Sequence, residues 1–125
     1  MLKNIIIVAV GGAIGSVARY LVSRVIQDSV SSGFPFGTMT VNIVGCLLIG
    51  FIGALAAEHG SISAETKLIL TTGFCGGFTT FSTFMNESLT LFRTDSLLVS
   101  AIYVGMSVVL GLIAAAAGMY LGKMI

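Results

Sequence analysis

Four apolar runs, each near the length of a bilayer-crossing helix, dominate this chain and limit what it can fold into. They extend from about Ile5 to Ile26, Thr38 to Ala57, Thr66 to Phe92 and Leu97 to Tyr120. A helix needs about 20 residues to cross roughly 30 Å of hydrocarbon. Lipid offers the backbone no hydrogen-bond partners, so such runs predict helices. A soluble helical core is excluded by charge. Only 9% of the residues are charged, whereas an ordinary soluble domain carries about 25%. Together the runs predict an all-α integral membrane protein, one four-helix transmembrane domain over residues 1–125, surrounded by membrane lipid. The connections are short: QDSVSSGFPFG with the only proline (Pro35), then EHGSISAE, then RTD. No long internal repeat and no separate soluble segment is visible. The first run continues past the ~7–15 residues of a signal-peptide core and reads as a retained span.

Orientation in a membrane follows the side richer in Lys and Arg. With four spans, Lys3, Lys67 and Lys123 share one side, and Arg24 and Arg93 share the other, with Arg19 nearby in the first span. The two sides nearly balance. A chain without a preferred orientation inserts both ways, and opposite copies can pair as an antiparallel dual-topology homodimer. The alternative is one orientation, weakly signalled. A net charge of +1 gives nucleic acid nothing to bind. Cys46 and Cys75 both lie in apolar runs, too few for a disulfide framework or a metal cluster, and read as small packing residues.

Polar residues inside a span are costly and call for a reason. In the first span GGAIGSVARY holds a Gly11-x-x-x-Gly15 pair, suited to close helix packing, and then Arg19, which either snorkels outward or holds backbone carbonyls. In the second, Asn42 lies one turn after Thr38, as interhelical glue or as an uncharged donor to a ligand. In the fourth, Tyr103, Ser107 and Gly111 recur at intervals of four, followed by Ala115 and a Gly118-x-x-x-Gly122 pair. The third span contains GFCGGFTTFSTF at 73–84. Adjacent Gly76 and Gly77 weaken a helix by roughly 1 kcal/mol each and predict a break near Gly76–Thr79. Such a break frees carbonyls for a cation such as Na⁺ and turns the N–H groups of the second half-helix towards an anion. Beyond it, Phe81 and Phe84 share a helical face with Thr80 and Thr83 beside them. Ring edges carry partial positive charge and suit a small anion; the competing reading is ordinary packing or lipid contact.

The runs GGAIGSVARY, GTMTVNIVGC and GFCGGFTTFSTF, in this order and spacing, closely resemble the Fluc (CrcB) fluoride-channel family over nearly the whole chain. The resemblance implies a fluoride-selective channel of the cell inner membrane or plasma membrane, passive and not an enzyme. It implies an antiparallel homodimer with two pores and a structural Na⁺ at the dimer centre. By that resemblance Asn42 hydrogen-bonds fluoride, and Phe81 and Phe84 are paired pore phenylalanines, one reaching each pore. Gly76 and Thr79 offer carbonyls to the Na⁺, Gly77 and Arg19 are structural, and Thr80 and Ser82 are hydroxyl donors near the track. Tyr103 and Ser107 form a polar track on the last helix, and Thr38 lies near a pore mouth. Gly111 departs from the pattern, standing where some relatives place a serine.

Two other classes compete. A small multidrug exporter needs a membrane-embedded acid in its first span, and residues 5–26 hold none. Glu87 is the only acid well inside a span, beyond the expected break and near a vestibule. A non-transporting scaffold would use its glycines for packing alone. No nucleophile–base pair or phosphate loop appears, and His59 is expected in an exposed loop.

Overall fold

The computed structural model describes residues 1–60 and 62–125. The side chain of His59, expected to be exposed, lies outside what is described. Among the described residues every regular element is helical and none is a strand, and four helical spans are long and apolar enough to cross a membrane. Helix α1 is Leu2–Asp28 and α2 is Phe36–His59. The third span is composite: α3 (Ala64–Leu68), a π-helical segment (Ile69–Cys75), α4 (Gly76–Phe78) and, after an interruption, α5 (Ser82–Thr94). Helix α6 is Leu97–Met124.

Local chemistry sets the ends. Ser63 and Ser96 cap α3 and α6, their hydroxyls accepting from the amides of Thr66 and Val99 at 3.1 Å each, the usual service of an N-cap serine. Helix α2 ends at Gly60, whose φ of 59° lies in the left-handed region that glycine enters without penalty. The Gln27 amide ties the first loop down. It donates to the Phe34 carbonyl at 3.1 Å and accepts from the Gly37 amide at 3.0 Å.

The two most extensive pairings put backbone against backbone. Helix α2 lies along α6, and α1 lies against the π-helical segment and α4. A Cβ on Gly118 would collide with the Leu47 carbonyl, and one on Gly15 with the Phe74 carbonyl. Between lipid-solvated helices that intimacy supplies dispersion contact, since burying apolar surface gains little there. Large apolar side chains along the outer faces of α1 and α6 are exposed, as suits a lipid environment.

The third span departs from sequence expectation in one detail. Gly76 and Gly77 remain helical, and the interruption covers Thr79 to Phe81, with Thr79 extended at φ −94° and ψ 161°. Gly77 is small for another reason: a Cβ there would come within 2.6 Å of the Gly12 carbonyl on α1. Its helix-weakening tendency is overridden by that packing. Helix α5 is fixed to α6 by the buried Ser100 hydroxyl, which donates to the Ser88 carbonyl at 2.7 Å.

Candidate functional site

The interruption at Thr79–Phe81 is held by side chains from other spans. Asn42, half-buried on α2, grips the Thr80 peptide from both sides. Its Oδ1 accepts from the Thr80 amide at 2.8 Å, and its Nδ2 donates to the Thr80 carbonyl at 3.1 Å. An amide side chain has two N–H donors, so this clasp uses one and spares one. From α1, Arg19 Nε donates to the Gly77 carbonyl at 3.0 Å. Arg19 therefore sits at the C-terminal end of the first half-helix, where carbonyls and dipole both favour a cation. Thr79 closes back on Cys75, whose carbonyl accepts from the Thr79 amide at 3.0 Å and hydroxyl at 2.9 Å. Thr80 Oγ1 accepts from the Thr83 amide at 3.3 Å.

The aromatic residues divide. Phe84 is 7% exposed and Phe81 is 73% exposed. Their rings lie 6.2 Å apart, tilted by 65°. Phe84 also meets Tyr103 at 5.1 Å and 68°, and Phe34 meets Tyr103 at 5.4 Å and 84°. These near-perpendicular contacts leave ring edges, the positive rim of each quadrupole, as part of the wall. Tyr103 is fully buried, and its hydroxyl donates to Glu87 Oε1 at 3.1 Å. Thr38, also buried, faces the same carboxylate. One turn further along α6, the Ser107 hydroxyl is buried and, among the described residues, has no hydrogen-bond partner. A helical serine usually returns its proton to the carbonyl four residues back; this one does not.

A groove of about 560 Å³ runs along the interruption, lined among others by Asn42, Gly76, Thr79, Thr80, Phe81 and Phe84. Six of the residues singled out in the sequence thus meet at one place. Tyr103 joins them through Phe84, and Thr38 through Glu87. Ser82 is exposed at the start of α5 and does not line the groove, and Gly111 is buried near Cys46. Sequence reasoning missed the pairing of Glu87 with Tyr103. Glu87 lies three residues beyond Phe84, one helical turn on the same face, and that spacing was the available signal. It also missed Cys46, Thr71, Thr72 and Cys75 as groove lining.

Gly76 and Thr79 line this groove, and among the described residues no group of three or more His, Cys, Asp or Glu side chains could hold a metal, which leaves backbone carbonyls as the candidate donors. Neutral oxygen donors suit a hard cation of low charge better than a transition metal. The residues present therefore fit Na⁺ as the kind of ion that the first half-helix could hold.

Comparison with known proteins adds the chemical identity. The family model described as "CrcB-like protein, Camphor Resistance (CrcB)" matches residues 6–119. A Chlorobaculum tepidum protein named "Fluoride-specific ion channel FluC" is 48% identical over 124 residues, covering 99% of this chain and 98% of its own. Proteins of the same name from Bacteroides fragilis and Flavobacterium psychrophilum are 46% and 42% identical, each match covering 98% of both chains.

Proposed function

The chain belongs to the CrcB-like family, and from that premise we propose that it is a fluoride-specific ion channel, a passive multi-pass protein of the plasma membrane and not an enzyme. The relatives' names supply the ion. The observation that carries conduction through this chain is the Ser107 hydroxyl, buried and, among the described residues, without a partner. An unsatisfied hydroxyl costs about 1–3 kcal/mol, and a transient ligand is the simplest reason to keep one inside a membrane protein.

Fluoride is small and strongly hydrated, so a pathway must replace its water with donors at short range. The lining offers the spare N–H of Asn42, the hydroxyl of Thr80 and the ring edges of Phe84 and Phe81, and the Ser107 hydroxyl, one turn beyond Tyr103 on α6, would extend the path. Each is a weak, uncharged partner. Among the described residues no lysine or arginine lines the groove, and Arg19 donates to the Gly77 carbonyl, so the path has no deep anion well. Conduction needs sites that are favourable enough to enter and weak enough to leave. A larger, less hydrogen-bonding anion gains less from the same donors and meets a larger barrier.

The finer architecture is also part of the proposal. Near-balanced Lys and Arg support two antiparallel copies, and the exposed Phe81 beside the buried Phe84 supports two pores, one ring serving each subunit's path. The carbonyls of Gly76 and Thr79 would hold a sodium ion between the two copies. When bound, that ion supplies positive charge that ties the interrupted helices together. Tyr103 acts as a wall residue in the described arrangement because its proton is directed to Glu87. Ser82, exposed and outside the groove, would serve only at the end of the path.

Planar-bilayer recording tests passive conduction. Currents should reverse at the fluoride equilibrium potential, whatever the pH gradient. A reversal potential that follows the proton gradient would replace the channel with a coupled transporter.

A further inference from the structure

We infer that Asn42, with the Thr80 hydroxyl, builds the cation site by diverting two backbone N–H groups away from the carbonyls of Gly76 and Thr79. This deepens the sodium reading above and rests on it. In a continuous α-helix each N–H bonds the carbonyl four residues earlier. Thr80 would then serve Gly76, and Thr83 would serve Thr79. Instead the Thr80 amide bonds Asn42 Oδ1 at 2.8 Å, and the Thr83 amide bonds Thr80 Oγ1 at 3.3 Å.

The neighbouring carbonyls are treated in the opposite way. Cys75 accepts from both the amide and the hydroxyl of Thr79, and Gly77 accepts from Arg19. The carbonyls of Cys75 and Gly77 are engaged, whereas those of Gly76 and Thr79, like that of Phe78, lose their helical donors. Of these, Gly76 and Thr79 line the groove. Gly76 is exposed and Thr79 half-buried in a single chain; once a second copy covers them a carbonyl without a donor is costly, and a hard cation removes that cost at both positions together. The second bond of Asn42, from Nδ2 to the Thr80 carbonyl at 3.1 Å, prevents the Thr80 peptide from rotating back into helical register. Asn42 is thus a positioning residue for the cation as well as a lining residue of the anion path. Because one side chain serves both, cation binding and fluoride binding are coupled.

The test compares thermal unfolding of the full-length protein in Na⁺ and in N-methyl-D-glucamine. Wild type should unfold at a higher temperature in Na⁺. Asn42→Ala should lose at least half of that difference. Asn42→Asp keeps an acceptor for the Thr80 N–H but loses the donor to the Thr80 carbonyl, so it should lose part of the difference, and its fluoride flux should fall at least tenfold. An undiminished difference in Asn42→Ala overturns the inference and leaves the sodium site standing. No difference in wild type overturns the sodium reading and the inference with it. Should Asn42→Ala not fold, Thr80→Val decides: it returns the Thr83 amide to the Thr79 carbonyl and should shrink the Na⁺ difference, whereas full retention overturns the inference.

Discussion

Replacement of Ser107 by alanine removes one oxygen and almost no volume, so it leaves no cavity to complicate the result. The hydroxyl is buried and, among the described residues, without a partner. Its desolvation costs about 1–3 kcal/mol by mutational data. Polar contacts between membrane helices average only about 0.6 kcal/mol, because the unfolded chain in lipid also finds partners. Ser107→Ala is therefore expected to leave stability unchanged or raise it by about 0.5–2 kcal/mol. The same change removes a hydrogen bond to a passing anion. A bond to a charged group is worth roughly 1.5–3 kcal/mol, and each 1.4 kcal/mol is tenfold in rate. Water can refill part of the gap, so about a tenfold loss of fluoride flux is expected. Denaturant unfolding in micelles and electrode-recorded efflux from liposomes should be run on one preparation. Destabilisation by about 1 kcal/mol with unchanged flux would make Ser107 a packing contact and refute the reasoning.

Three further changes probe other parts of the site. Phe84→Ile and Phe81→Ile should both give folded protein with fluoride flux lowered at least tenfold, but only the buried Phe84 change should lower thermal stability; wild-type flux in either removes the ring-edge role. Arg19→Ala strands the Gly77 carbonyl without its charged donor and should cost about 1.5–3 kcal/mol in unfolding free energy, an unchanged midpoint being the contrary result. Gly15→Ala drives a methyl into the Phe74 carbonyl and should cost about 1–3 kcal/mol or more, whereas Gly53→Ala, with open space around its Cβ, should be neutral. Equal effects at the two glycines would contradict the packing between α1 and the third span.

The spans were legible because lipid imposes one simple demand, about 20 apolar residues in a helix. Each helix runs a few residues past its apolar run or begins with it, since a helix continues into the interfacial region until a cap or glycine stops it, as Gly60 does for α2. The candidate site was legible as a set of residue types. Asn42, Thr80, Phe81 and Phe84 stand out in an apolar chain because each costs or commits something there. Which atom bonds which was not legible. The Asn42–Thr80 clasp joins residues 38 apart and the Arg19–Gly77 bond residues 58 apart, and no local pattern encodes either. Gly77 shows the limit of propensity: a cost of roughly 1 kcal/mol yields to close packing on α1, and the chain breaks two residues later, where the threonine hydroxyls and Asn42 supply alternative partners. The π-helical turn at Ile69–Cys75 carried no sequence signal that we recognise.

Fluoride and chloride efflux from liposomes containing the purified protein, followed with ion-selective electrodes, tests the central claim most directly. Rapid fluoride release with negligible chloride release is the expected result. Folded protein that releases no fluoride, or releases both anions alike, would contradict a selective fluoride path along Asn42, Phe84 and Ser107.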